Sequence, residues 1–158
     1  MEHLLEVKGL RTDFRRDKDW VTAVNGVSFH IDKGEILGLV GESGCGKSVT
    51  SLSVMRLLPA ENSRNPEGEI LYNDENLLTT DMSHLRKIRG SKISMIFQEP
   101  MNSLNPCMKI ESQIMETILL HNKISKEEAR NRAFKALEKV GIPEPGMTLK
   151  SYPHQLSG

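Results

Sequence analysis

"GESGCGKS", residues 41–48, is the stretch on which the reading of this chain turns. It has the form Gly-x4-Gly-Lys-Ser, and both of its flanks suit that form. Upstream, "EILGLV" (35–40) is short and almost wholly apolar, a strand that asks for burial on both faces. Downstream, "VTSLSVMRLL" (49–58) repeats Leu52, Met55 and Leu58 at helical spacing until Pro59 stops it. A buried strand entering and a helix leaving is the setting in which such a loop cradles phosphate. Its glycines let successive N–H groups converge on phosphate oxygens, and the helix start near Lys47 adds the positive end of its dipole. The expected cradle is Gly41, Glu42, Ser43, Gly44, Cys45, Gly46, Lys47, Ser48 and Val49. Lys47 is expected to reach the β- and γ-phosphates, and the Ser48 hydroxyl to hold Mg²⁺. Cys45 fills a variable position, where an exposed thiol is open to modification when nucleotide is absent.

Outward from the loop, "HLLEVKGLRTDF" (3–14) and "WVTAVNGVSFHI" (20–31) alternate apolar and polar residues. With the charged "RRDKD" between them they predict two antiparallel strands. "ENSRNPEG" (61–68) reads as loop, and "EILYNDENLL" (69–78) as a strand followed by a turn at Asn73-Asp74. Residues 81–90 suggest a short helix, and "KISMIFQ" (92–98) another buried strand. From Met101 the character becomes helical. "ESQIMETILLHN" (111–122) is amphipathic, and "SKEEARNRAFKALEKVG" (125–141) carries its own punctuation. Ser125 and Glu128 predict a capping box, Ile124 and Ala129 a staple, and Glu128 and Arg132 a pair one turn apart. Gly141 and Pro143 end that helix. The chain therefore reads as two regions: residues 1–100, a β subdomain with the phosphate-loop αβ core, and residues 101–158, a helical subdomain.

Composition narrows the class. The 21 basic and 21 acidic side chains cancel, so no global field points to nucleic acid as a partner. The longest apolar runs are too short to cross a bilayer, and "MEHLLEVKGLRTD" does not have the build of a signal peptide. Cys45 and Cys107 lie far apart, without a Cys-x-x-Cys pair, as suits a reducing interior. A soluble, intracellular protein is expected.

A phosphate loop alone does not separate ATPases, GTPases and small-molecule kinases. GTPases read guanine with Asn-Lys-x-Asp, but here Asn122-Lys123 is followed by Ile-Ser. Asp74-Glu75 mimics the carboxylate pair that ends a Walker-B strand, though Asn73-Asp74 also reads as a hairpin tip. Two further phrases settle the class by resemblance: "FQEPMNSLNP" (97–106) after an apolar stretch, and "SYPHQLSG" (151–158) after the helices. Together with "GESGCGKS" they resemble the ATP-binding subunits of ABC transporters. More narrowly, they are similar to the oligopeptide and dipeptide importer ATPases, with the nickel importers as an alternative. The fold this implies is α/β, a P-loop NTPase of the ABC type, with an N-terminal antiparallel β subdomain and the start of a helical subdomain.

The resemblance also implies roles. Phe14 falls where the family places an aromatic that stacks on adenine; as a plain sequence position it is equally a core residue on a strand face. Trp20 is the weaker competitor and reads as a packing residue at the hairpin. Gln98 is implied as a mobile Mg²⁺ ligand that senses the γ-phosphate, so Ser48 and Gln98 are the metal pair. Residues 99–106 are implied to face a membrane subunit. Ser157 and Gly158 begin Leu-Ser-Gly-Gly-Gln, which binds the γ-phosphate of ATP held by an opposite subunit. ATP and Mg²⁺ are the implied cofactors. The implied partners are two integral-membrane permease subunits, a second ATPase subunit and an extracytoplasmic solute-binding protein. The implied location is the cytoplasmic face of the inner membrane, as a peripheral subunit.

The family's Walker-B Asp, catalytic Glu, D-loop and switch His have no counterparts in the 158 residues. Residues 1–158 by themselves are therefore expected to bind nucleotide but to show negligible Mg-ATPase turnover. "EILGLV" is likewise expected to lack parallel neighbours and to present an edge prone to self-association.

Overall fold

The alternating segments at the start of the chain form one long hairpin. In the structure, a computed structural model that describes residues 3–97 and 103–156, strand β1 (Leu5–Arg16) pairs antiparallel with β2 (Asp19–Ile31). The turn between them is only Asp17-Lys18, with Asp17 left-handed at φ 55°, so most of the charged "RRDKD" belongs to the strands. Register shifts between Val7 and Asp13 bend β1 and let it serve two further partners. β3 (Ser63–Arg64), inside the stretch the sequence marks as loop, pairs with Phe14 and Asp13. β4 (Glu69–Tyr72) pairs with the front of β1, and β5 (Glu75–Asn76) closes the sheet in the order β2-β1-β4-β5. Helix α1 (Lys47–Val54) and α2 (Met82–Ile88) complete this unit, which spans Met1–Arg89. Val7, Leu10, Ile70, Leu77 and Leu85 are its most deeply buried apolar side chains.

Helix α1 is shorter than its apolar spacing predicts. It ends at Val54, and Arg56 turns left-handed at φ 48°. The reason is tertiary. Arg89 donates to the carbonyls of Met55 (2.8 Å) and Arg56 (2.6 Å), taking acceptors that a longer helix would use internally. Arg56 in turn donates to the carbonyls of Leu77 and Thr80. The buried face is accordingly Thr50, Ser53, Val54 and Met55, with Leu52 and Leu58 only half-buried.

Both apolar segments expected as buried strands differ from that expectation. Residues 35–40 form no strand, and Ile36 and Val40 are 96% and 89% exposed. In "KISMIFQ", Ile96 is 94% exposed and Phe97 is exposed as well. An extended segment cannot satisfy its own backbone groups and needs at least one paired neighbour, and among the described residues neither segment pairs with a strand.

The second unit spans Gly90–Gly158. Its helices are α3 (Ile110–His121), α4 (Lys126–Lys139) and α5 (Pro145–Lys150), followed by a 3₁₀ turn at Pro153–Gln155. Ile110, Ala133 and Leu149, one from each helix, form its core, with Ile114, Met115, Ile118 and Leu137 packed around them. An Arg130–Glu111 ion pair at 2.7 Å ties α4 to α3. The cap of α4 forms by half: Ser125 Oγ accepts from the Glu128 N–H, while the Glu128 carboxylate turns to Arg132. At the other end, Gly141 and Ile142 donate back to Glu138 and Leu137, a Schellman closure that satisfies two terminal carbonyls.

One polar cluster sits inside the sheet unit. The Asp13 side chain is fully buried; it accepts from Thr22 Oγ1 (2.9 Å) and Arg11 Nε (3.1 Å), and from Arg64 Nε (3.1 Å) on its second oxygen. Burial opposes its ionisation, but the Thr22 hydroxyl and the two guanidiniums outweigh that and hold the carboxyl below its ordinary value. The sign follows directly. The stabilisation is complete above the ordinary aspartate pKa of about 3.9 and is lost as pH falls through the depressed folded-state value. Asp13→Asn is therefore expected to lower the melting temperature at neutral pH. It should also flatten the fall in melting temperature below about pH 5, read by circular dichroism across a pH series.

Candidate functional site

The loop at residues 41–46 enters α1 through Gly46, which caps the helix at φ 95°. A Cβ there would lie 2.8 Å from the Ala23 carbonyl oxygen and 3.2 Å from Val24 Cγ2, so the helix start rests directly on β2 with no room for a side chain. This contact fixes where the first turn of α1 points. Among the described residues no side chain caps that turn, and no acidic residue lies in it, so its N–H groups and positive dipole end suit an anion.

Lys47 is folded over the loop. Its ammonium donates to the carbonyls of Gly41 and Glu42, 2.6 Å each, and lies 3.5 Å from Cys45 Sγ. The cation thus holds the loop's own carbonyls together. Ser48 is exposed on the first turn, and its hydroxyl makes no hydrogen bond to the described residues. Thr50 and Ser51 instead turn their hydroxyls back to the carbonyls of Gly46 and Lys47. The donor set fits a phosphate chain with a divalent ion: free amides and an ammonium for phosphate oxygens, a free hydroxyl for the metal.

The other expected site residues are distributed unevenly. Phe14 is half-buried on β1, paired with Val21, two residues along β2 from the Ala23 carbonyl that backs Gly46. The Arg64 guanidinium lies 4.3 Å from the Trp20 ring centroid, so that ring has a packing partner at the hairpin. Gln98, Ser157 and Gly158 lie outside the described residues, as do residues 99–102. Asp74 is part of a two-residue turn, with Asn73 and Asp74 both left-handed and Tyr72 paired to Glu75. The Glu75 carboxylate is engaged by Thr80 (2.6 Å) and His84 (3.0 Å). The pair is a hairpin tip and not a metal-holding strand end.

Sequence reasoning did not find the supports of this site. The Ala23–Val24 backing, the Arg89 contacts that stop α1, and the buried hydrogen bond of Ser53 Oγ to Thr12 Oγ1 (3.0 Å) all join residues distant in the chain. No local spacing announces them.

A family model described as ABC transporter matches residues 24–158. The chain is 48% identical over 155 residues to the oligopeptide transport ATP-binding protein OppD of Bacillus subtilis, covering 98% of this chain and 43% of that protein. It is also 48% identical over 158 residues to the dipeptide transport ATP-binding protein DppD of the same organism, covering 100% of this chain and 47% of that protein. The chain thus spans about half the length of the curated relatives it matches. Among solved structures, the dimeric bacterial ABC transporter cassette MJ0796 superposes with a TM-score of 0.81 at 26% identity, over 98% of this chain and 63% of that one. The same cassette in a post-hydrolysis state, bound to ADP and Pi, superposes with a TM-score of 0.80 at 25% identity, over 97% of this chain and 63% of that one.

Proposed function

The chain belongs to the ABC transporter family, and from that premise we propose that it is the ATP-binding part of an importer subunit for oligopeptides or dipeptides. What carries this reading is the identity of 48%, spread over essentially the whole chain, to proteins named for peptide transport. Those names favour the peptide branch over nickel.

In this proposal the amides of the α1 first turn and the Lys47 ammonium hold the phosphates, Ser48 contributes its hydroxyl to Mg²⁺, and Phe14 stacks on the base. Gln98 is the second metal ligand, and Ser157 and Gly158 address the nucleotide of a partner ATPase subunit. Bound ATP supplies the phosphoanhydride whose hydrolysis would drive transport. Two permease subunits and a solute-binding protein complete the proposed assembly, with this subunit peripheral on the cytoplasmic side. Among the described residues no helix is long and apolar enough to cross a membrane, which is consistent with the spanning part lying in other subunits.

The test is uptake. In cells deprived of their own peptide importer ATPase, the full protein carrying this chain, supplied with its permeases and binding protein, is expected to restore accumulation of a labelled dipeptide or oligopeptide. Restored nickel uptake without peptide uptake would overturn the substrate assignment.

A further inference from the structure

His3, His30 and Asp32 form a cluster remote in purpose from phosphate binding. Period-two alternation puts His30 and Asp32 on the same side of the chain at the end of β2. Next to them runs the approach to β1, where the Leu4 N–H donates to the Ile31 carbonyl at 2.9 Å. That pairing brings His3 onto both residues. Its ring stacks on His30 with centroids 3.9 Å apart, and its Nδ1 lies 2.6 Å from Asp32 Oδ1. One ligand atom from each of the three lies within 4.8 Å of the others, and among the described residues no other set of three does this.

We propose that His3, His30 and Asp32 bind a divalent transition-metal ion of the Zn²⁺ class. The ligand chemistry is right for it: two imidazoles and a carboxylate suit zinc and its neighbours better than the hard cations Mg²⁺ or Ca²⁺. Ligands at about 2.0–2.1 Å from a tetrahedral zinc stand roughly 3.3 Å apart, so binding requires the cluster to contract and the two stacked rings to swing apart until the in-plane lone pair of each meets the ion. Asp32 is followed by a tight turn in which Glu35 returns its N–H to the Asp32 carbonyl and its carboxylate to the Asp32 N–H. Residues 36–40 then lead into the phosphate loop. A bound ion fastens the start of β1 to the root of that segment.

The experiment is calorimetric titration of the full chain with zinc chloride, in a Cys45→Ser/Cys107→Ser background so that thiols do not compete. One saturable zinc is expected. His30→Ala and Asp32→Asn should each weaken it by about tenfold or more, the loss seen when even an outer-shell partner of a metal ligand is removed. His84→Ala is the control, because His84 also faces a carboxylate, Glu75 at 3.0 Å, but has no second histidine; its affinity should not change. Zinc should raise the melting temperature of the parent chain and leave that of His30→Ala unmoved. His30 is exposed, so its replacement leaves the core intact, and Asp32→Asn gives a second, near-isosteric reading. Unchanged zinc affinity in His30→Ala, or no saturable zinc binding by the parent chain, would overturn the proposal.

Discussion

Lys47→Ala is expected to weaken ATP binding by a factor of about 10 to 100 while leaving the far-ultraviolet circular dichroism unchanged. The magnitude is that of one charge-assisted hydrogen bond, about 1.5–3 kcal/mol, lost from an anion site. The fold should survive because, among the described residues, the Lys47 ammonium bonds only within its own loop, to Gly41, Glu42 and Cys45. Lys47→Arg is expected to fall between the two. It keeps the charge but replaces a compact head of three donors with a planar fork that cannot sit in the same curl of backbone. An equilibrium titration with a fluorescent ATP analogue reads all three proteins. Equal affinity for parent and Lys47→Ala would remove the loop from the proposed nucleotide site.

Gly68→Ala is expected to be the most destabilising single methyl in the sheet unit. Gly68 is left-handed at φ 93°, and a Cβ there would lie 2.6 Å from the Gly9 oxygen, the Leu10 Cα and the Lys8 oxygen. All three are backbone atoms of β1, so no side chain can swing away to make space. The site is where β1 bends: Arg11 donates to the Glu67 carbonyl at 3.1 Å, and Lys8 pairs with Glu69 as β4 begins. Left-handed strain costs about 1–3 kcal/mol and overpacking about 1–3 kcal/mol more. Against a total of about 5–15 kcal/mol, that is a large share of the fold's stability. A drop in melting temperature of about 10 °C or more is expected. Gly26→Ala separates the two causes. Gly26 is also left-handed, at φ 67°, but a Cβ there meets nothing within 4 Å, so only the conformational part of the loss should appear. Equal losses in the two variants would show that the close approach to β1 is not what Gly68 is for.

Much of this was legible in the sequence because it depends on local patterns. The alternation in residues 3–31 gave the hairpin, Asn73-Asp74 its left-handed turn, and Ser125 and Gly141 the two ends of α4. In each case the deciding interaction spans only a few residues or follows the pleat itself. The Gly-x4-Gly-Lys-Ser loop was legible for the same reason: its amides, its lysine and its serine all come from eight consecutive residues.

What failed to show in the sequence depends on partners far along the chain. The apolar spacing of Leu52, Met55 and Leu58 called for a longer helix, but Arg89 takes the carbonyls at Met55 and Arg56 and ends it. The composition of "EILGLV" and "KISMIFQ" predicts strands, yet a strand exists only when neighbours pair with its backbone groups, and among the described residues the two segments have, outside the Glu35 turn, just one such bond, from the Gly90 N–H to the Ile93 carbonyl. The sequence by itself determined that a Gly-x4-Gly-Lys-Ser loop leads into a helix, and which donor atoms that loop offers. Only the tertiary structure decided what holds the loop in place: Gly46 seated on the Ala23 carbonyl, and a helix stopped by Arg89. It alone also joined His3 to His30 and Asp32, because contacts across some 30 residues follow from the register of paired strands and not from any spacing along one of them.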